Sequence, residues 1–207
     1  FLSPEEIQAI VDQNSMQAFN NTIDTDLIHS GSFGESIADE EIPDIEIVEV
    51  AKSTYTGTMM IVKDPSRVSL ATTYPWKEYG INVHEFVEQN DAVAGINGGI
   101  YNAYKNKGGN PLGVVVSNGE IQRNKPKELP GLVLVGSTED NILVVIDISD
   151  KTATETEQLI TEKKIRDAVC FQEETSDKNN HFVQLIINGK ERELNGMGSG
   201  LNPRTAI

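Results

Sequence analysis

A two-residue turn, Asn118-Gly119, is the feature that most restricts how this chain can fold. Asparagine followed by glycine favours a type I′ turn, because both central positions need a positive φ and these two residues tolerate it. The turn lies between Val114-Val115-Val116 and a β-like segment that starts at Glu120, so the two segments should form an antiparallel hairpin. Residues 132–135 and 142–148 predict a second antiparallel pair around a polar loop. Together these hairpins predict an α+β fold with a mainly antiparallel central sheet and flanking helices.

Three helices are predicted around this sheet. Ser3 is suited to the N-cap of the first, Pro4 to its first position and Glu6 to a capping box, so residues 3–13 should be helical. Residues 83–88 and 152–164 predict the second and third helices. Residues 20–49 show no regular period. We interpret residues 1–50 as an N-terminal helix with an acidic lead-in, and residues 51–207 as the main domain.

Apolar runs next to turn residues predict the remaining strands. Residues 58–62 and 68–72 flank Asp64-Pro65-Ser66-Arg67, a turn with proline at its second position, and should form a hairpin. A first strand should begin at Ile47 and Val48. Residues 92–96 predict a buried strand, and residues 182–187 predict one that closes at Asn188-Gly189.

The segment Asn97-Gly98-Gly99 is the first candidate for chemistry. At the end of a strand it would present an amide side chain beside two residues that allow close approach to the backbone. Asparagine can donate to a phosphate or sugar oxygen and accept from a hydroxyl. The alternative is an ordinary β-turn. Tyr101 and Tyr104 follow, and each is either a floor for a sugar ring or a half-buried tyrosine.

Residues 105–110 form a basic, glycine-containing stretch in an acidic chain. It is either a mobile lip over a negatively charged substrate or a solvated loop. Pro111 ends the flexible part and Gly113 opens the next strand. The strand–loop–helix framework of a P-loop or a dinucleotide fingerprint is missing here, so the glycines do not indicate a nucleotide site.

Arg204 is the second candidate, and it is one of only five arginines. Pro203 fixes the backbone immediately before it, and Gly198 and Gly200 permit close approach. A guanidinium held in this way can grip phosphate through two hydrogen bonds. The alternative is a structural or surface arginine.

Charge and cysteine content exclude several classes of function. The net charge of −15, with no basic cluster to offset it, argues against nucleic-acid binding. The single cysteine, Cys170, excludes an internal disulfide and is expected to be a small buried hydrophobe. The three histidines are scattered without metal-ligand spacing, so neither a metal nor another cofactor is predicted.

The chain resembles the phosphodiester glycosidase family over residues 55–207, through short motifs that keep their order and spacing. The motifs are Gly57-Thr58-Met59-Met60-Ile61-Val62, Asp64-Pro65-Ser66-Arg67-Val68, Ala92-Val93-Ala94-Gly95-Ile96-Asn97-Gly98-Gly99, Pro111-Leu112-Gly113, Ser117-Asn118-Gly119, Ile165-Arg166-Asp167-Ala168-Val169, Leu185-Ile186-Ile187-Asn188-Gly189-Lys190 and Asn202-Pro203-Arg204-Thr205-Ala206-Ile207. The first helix and the acidic lead-in are similar to a bacterial, exopolysaccharide-related branch. In that branch a membrane anchor precedes such a helix and the domain faces outward.

The resemblance implies hydrolysis of a sugar-1-phosphodiester in a cell-surface or extracellular glycan, of the phosphodiester α-N-acetylglucosaminidase type. It implies that Arg204 holds the phosphate and that Asn97, Gly98 and Gly99 line the pocket. We also expect the substrate to contact Tyr101, Asn110, Asn202 and Thr205.

Two departures from the family pattern qualify these expectations. Residues 171–182 are longer and more polar than the usual short turn, and the family's later Asp-Gly-Arg and Asp-Gly-Gly-Gly-Ser segments do not occur. We therefore expect a C-terminal part of the same domain to supply catalytic carboxylates. Two alternatives to an enzyme are a phosphoglycan-binding module on the same fold and an interaction domain that binds a protein through its acidic lead-in.

Overall fold

The computed structural model describes residues 45–53, 55–172, 184–187, 190–191 and 205–207. The described residues fall into two compact units, one that extends to Ser69 and one that begins at Leu70. The predicted helix over residues 3–13 lies outside the described residues. Neither of the α-helices in the described ranges has the length and apolarity that a membrane crossing requires.

The first unit contains two antiparallel strands, β1 (Ile45–Ala51) and β2 (Thr56–Val62). Ile47 faces Met60 and Val48 faces Met59 in the register, so both faces of the pair carry apolar side chains. The prediction that β1 begins near Ile47 is confirmed.

The predicted hairpin of residues 58–62 with residues 68–72 is wrong. The partner of β2 is the preceding strand β1, and residues 68–72 form no strand. Pro65–Arg67 form a 3₁₀ turn, in which Asp64 Oδ1 accepts hydrogen bonds from the N–H and the hydroxyl of Ser66. These bonds lower the pKa of the Asp64 carboxyl. Pro65 therefore begins a capped turn, at which the chain leaves the two-stranded sheet.

The second unit is built on a five-stranded sheet in which every neighbouring pair is antiparallel. Its strands are β3 (Val114–Ser117), β4 (Glu120–Asn124), β5 (Leu132–Thr138), β6 (Leu143–Asp147) and β7 (Ile165–Gln172). Their order across the sheet is β4-β3-β7-β5-β6. The short strands β8 (Ile186–Ile187) and β9 (Lys190–Glu191) pair with each other. The predicted α+β class with a mainly antiparallel sheet is confirmed.

Both predicted hairpins of this sheet are confirmed. Asn118 and Gly119 have φ values of 50° and 75°, as a type I′ turn requires. The turn is also held from β7: Asn118 N–H donates to Asp167 Oδ1 at 3.1 Å, and Gly119 N–H donates to the carbonyl of Arg166 at 2.8 Å. In the second hairpin β5 pairs with β6 along its length.

The helices α1 (Val83–Gln89) and α2 (Ala153–Glu162) lie where residues 83–88 and 152–164 predicted them. Thr152 caps α2, and its N–H and hydroxyl donate to Glu155 Oε2. These two bonds lower the pKa of Glu155. Ile160 of α2 is buried in the core of the sheet.

The core is made by alternating side chains of β3, β5 and β7, joined by Ile148 and Ile160. Cys170, on the central strand, is 1% exposed, so the prediction of a buried cysteine is confirmed. Its Sγ accepts a hydrogen bond from the N–H of Val114 at 3.1 Å. Burial raises the pKa of the thiol to about 12, which keeps it protonated at neutral pH.

Residues 92–96 do not form the buried strand that was predicted. They have no strand assignment, and Val93 is 76% exposed. The chain folds back on α1 instead: the N–H of Ala92 donates to the carbonyl of Val87, and the Cα of Gly95 faces the methyl groups of Val83 and Val87. A side chain at Gly95 would meet these methyl groups at 3.0–3.2 Å. The apolar run therefore follows a helix surface and has no strand partner in the described part of the chain.

Candidate functional site

Asn97 and Gly98 lie on the surface, between the segment that packs on α1 and Gly99, which lies against the central strand β7. Both residues are exposed, and a Cβ added at Gly98 would have no atom within 4 Å. The glycine is therefore not required by packing. What it provides is an open path to the backbone next to the Asn97 amide.

Gly99, in contrast, is fixed against β7. Its φ is +67°, and a Cβ at this position would lie 2.9 Å from the Cβ of Val169. The next residue, Ile100, donates its N–H to the carbonyl of Cys170 at 2.9 Å and packs on the core. Gly99 and Ile100 thus hold the exposed Asn97 and Gly98 at a defined place beside the central strand.

Tyr101 and Asn110 are brought together by backbone pairing. Tyr101 forms an antiparallel bridge with Pro111, and the N–H of Asn102 donates to the carbonyl of Asn110 at 2.9 Å. Tyr101 and Asn110 are both exposed. Two predicted site residues, Tyr101 and Asn110, therefore lie on neighbouring segments of paired backbone.

The loop over residues 105–110 is anchored in its middle by backbone hydrogen bonds, whereas Lys105 and Asn110 are exposed. The N–H of Gly80 donates to the carbonyl of Lys107 at 2.8 Å, and the N–H of Gly109 donates to the carbonyl of Glu78 at 3.3 Å. Lys107 also forms an ion pair with Glu78. Gly109 is buried, and a Cβ there would lie 2.2 Å from the carbonyl oxygen of Lys77. The loop is consequently fixed against the segment that precedes α1.

Three predicted site residues, Asn202, Arg204 and Thr205, belong to the last motif of the sequence. Arg204 and Asn202 lie outside the described residues, so their approach to Asn97 stays a prediction. Thr205 is described and exposed, and its approach to Asn97 likewise stays a prediction.

The sequence pattern did not indicate Tyr79. It lies next to the site because it forms an antiparallel bridge with Gly108. Gly80 and Gly109, on the two sides of this bridge, each lie too close to the facing backbone to admit a side chain, but this closeness is not visible in the sequence.

Two other features of the described residues contribute no site. A shallow, open cleft of about 510 Å³ is lined by residues 124–128, Thr152 and Ala153, and includes none of the predicted site residues. Among the described residues, no group of three or more His, Cys, Asp or Glu side chains is arranged to hold a metal ion.

Comparison with known families gives one clear result. The family model described as phosphodiester glycosidase matches residues 90–207, which include Asn97, the Tyr101–Pro111 bridge, the whole five-stranded sheet and Arg204. The resemblance noted at residues 57–68 lies before the matched range. Comparisons with curated proteins and with solved structures gave no match. Since the match covers more than half of the sequence, the chain belongs to the phosphodiester glycosidase family.

Proposed function

We propose that the protein hydrolyses a sugar-1-phosphodiester in a cell-surface or extracellular glycan. Membership of the phosphodiester glycosidase family carries this proposal. The exposed Asn97-Gly98 pair supports it, because it offers an amide and an open backbone at a place fixed by the sheet. The α-N-acetylglucosaminidase type of activity, a bacterial exopolysaccharide as the glycan and an outward-facing location are parts of the same proposal.

In the proposed reaction, water adds to the anomeric carbon while the bond from that carbon to the phosphate oxygen breaks. The sugar is released, and the phosphate stays on the acceptor as a monoester. Negative charge grows on the phosphate as the sugar leaves, so a fixed guanidinium stabilises the transition state more than the ground state. We assign this role to Arg204, and to Asn97 the role of orienting the phosphate or the sugar hydroxyl. A carboxyl group acts as general acid or base.

Turnover of a synthetic substrate tests the proposal. The full-length protein should release the free sugar from the methyl ester of N-acetylglucosamine 1-phosphate and leave methyl phosphate. Asn97→Ala should impair this reaction while the melting temperature remains close to that of the wild type, because Asn97 is exposed. Binding of the ester without release of sugar would contradict the proposal and indicate a phosphoglycan-binding module.

Substitutions at the two glycines that follow Asn97 should distinguish a loss of activity from a loss of stability. Gly98→Ala should leave the melting temperature unchanged, since open space surrounds the position, but should lower kcat/KM roughly tenfold by placing a methyl group in the path of the substrate. Gly99→Ala should lower the free energy of unfolding by about 2 kcal/mol, because of its positive φ and its contact with Val169. Thermal unfolding and kinetics measured on both variants check the prediction. Equal effects of the two changes on stability would contradict it.

A further inference from the structure

Three tyrosines near the candidate site expose more than half of their surface: Tyr79 at 62%, Tyr101 at 56% and Tyr104 at 70%. Single exposed aromatic residues are common and need no explanation. These three residues, however, come from segments that backbone bridges join to one another. We call the three tyrosines, together with Lys105 and Lys107, the tyrosine platform.

Residues 107–111 lie between the segments that carry Tyr79 and Tyr101 and pair with both of them. On one side Gly108 bridges to Tyr79, and on the other side Pro111 bridges to Tyr101. The Tyr101 ring also covers Gly108, since its Cε2 and Cδ2 atoms lie 3.4 and 3.6 Å from the place a Cβ would occupy. A turn connects Tyr101 to Tyr104. In this turn the N–H of Tyr104 donates to Asn102 Oδ1 at 2.9 Å. The aromatic side chains are thus presented on a fixed backbone.

Positive charge accompanies these rings in an otherwise acidic protein. The Nζ of Lys105 lies 5.3 Å from the centre of the Tyr104 ring, and the Nζ of Lys107 lies 5.7 Å from the centre of the Tyr79 ring. Lys107 is paired with Glu78, whereas Lys105 forms no salt bridge with any described carboxylate. Lys105 therefore offers a local positive charge to an anionic group, in a chain whose net charge is −15.

These observations suit a saccharide. A tyrosine ring can pack against the apolar face of a sugar while its hydroxyl remains in water. The platform also adjoins the candidate site along the chain, since only Gly98-Gly99-Ile100 separate Tyr101 from Asn97. We infer that the tyrosine platform binds an anionic saccharide chain on the acceptor side of the scissile phosphodiester, and that it thereby selects extended acceptors over small alcohols. The inference rests on the proposed function.

The test compares two esters of N-acetylglucosamine 1-phosphate: the methyl ester, and the ester of a disaccharide that carries a second phosphate. The wild-type protein should prefer the disaccharide ester in kcat/KM by about tenfold or more, the equivalent of one or two ring contacts. The double variant Tyr79→Ala, Tyr104→Ala should lose most of this preference. The control Tyr74→Ala replaces another exposed tyrosine, which contacts Trp76 edge-on. This variant should keep the preference for the disaccharide ester.

A preference that is absent in the wild type, or unchanged in the double variant, overturns the inference. If neither ester is turned over, the proposed function fails, and direct binding then tests the platform independently. In isothermal titration with the phosphorylated disaccharide alone, the double variant should bind about tenfold more weakly than the Tyr74→Ala control. Equal affinities would overturn the inference in that case as well. Lys105→Gln should weaken binding of the phosphorylated disaccharide and leave that of the neutral disaccharide unchanged.

Discussion

Arg204→Lys is expected to lower kcat/KM by roughly 10- to 150-fold, because lysine keeps the charge but not the planar fork. A charged bidentate contact contributes on the order of 1.5–3 kcal/mol, and each 1.4 kcal/mol corresponds to a tenfold change in rate. The melting temperature should stay close to that of the wild type. Steady-state kinetics on the methyl ester of N-acetylglucosamine 1-phosphate, together with thermal unfolding, measure the two quantities.

The matched control is Arg67→Lys, which makes the same chemical change outside the range of the family match. This variant should retain full activity. Unchanged turnover in Arg204→Lys would remove Arg204 from the site. A large drop in its melting temperature would instead indicate a structural arginine, the alternative that the residue pattern leaves open.

Gly136→Ala is expected to have the largest effect on stability. Gly136 lies within β5 between Val144 of β6 and Ala168 of β7. A Cβ at this position would lie 2.0 Å from the carbonyl oxygen of Asp167 and 2.5 Å from the Cβ of Ala168. Relieving this overlap requires a backbone shift at the centre of the sheet, which should cost about 3 kcal/mol and lower Tm by roughly 6–12 °C.

Gly98→Ala provides the control, because it introduces the same methyl group into the same unit without any contact. Chemical denaturation and calorimetry of the two variants should therefore differ clearly. Equal stability of the two variants would mean that β5 and β7 are farther apart than the described register places them.

The parts of the fold that follow from neighbouring residues could be predicted from the sequence. The Asn118-Gly119 hairpin and helix α2 are specified by a few adjacent side chains: the turn has the expected φ values, and the structure shows that Thr152 and Glu155 cap the helix. The partner of β2 could not be predicted in this way. Either neighbouring segment was compatible with its pattern, and the choice of β1 depends on a register that no local motif specifies.

The same distinction applies to the candidate site. The sequence indicated Asn97, Tyr101 and Asn110 through residue type, and the structure places Tyr101 and Asn110 on neighbouring segments of paired backbone. Tyr79 was not indicated, because its place beside Gly108 depends on a backbone bridge between distant segments. The apolar run over residues 92–96 was assigned to a strand for a related reason: hydrophobicity alone does not distinguish a strand from a segment that covers a helix.

The order of strands across the sheet has a consequence for protein synthesis. The strand that joins the two hairpins, β7, is the last of the five to be translated. About 40 residues separate the end of β4 from the start of β7, so at 5–20 residues per second the β3–β4 hairpin waits roughly 2–8 s for its partner. During that interval β3 is paired with β4 on one side only. The side that later pairs with β7 has no partner, and β3 carries three consecutive valines. One side of β3 is therefore open to pairing with other chains until residues 165–172 have been translated.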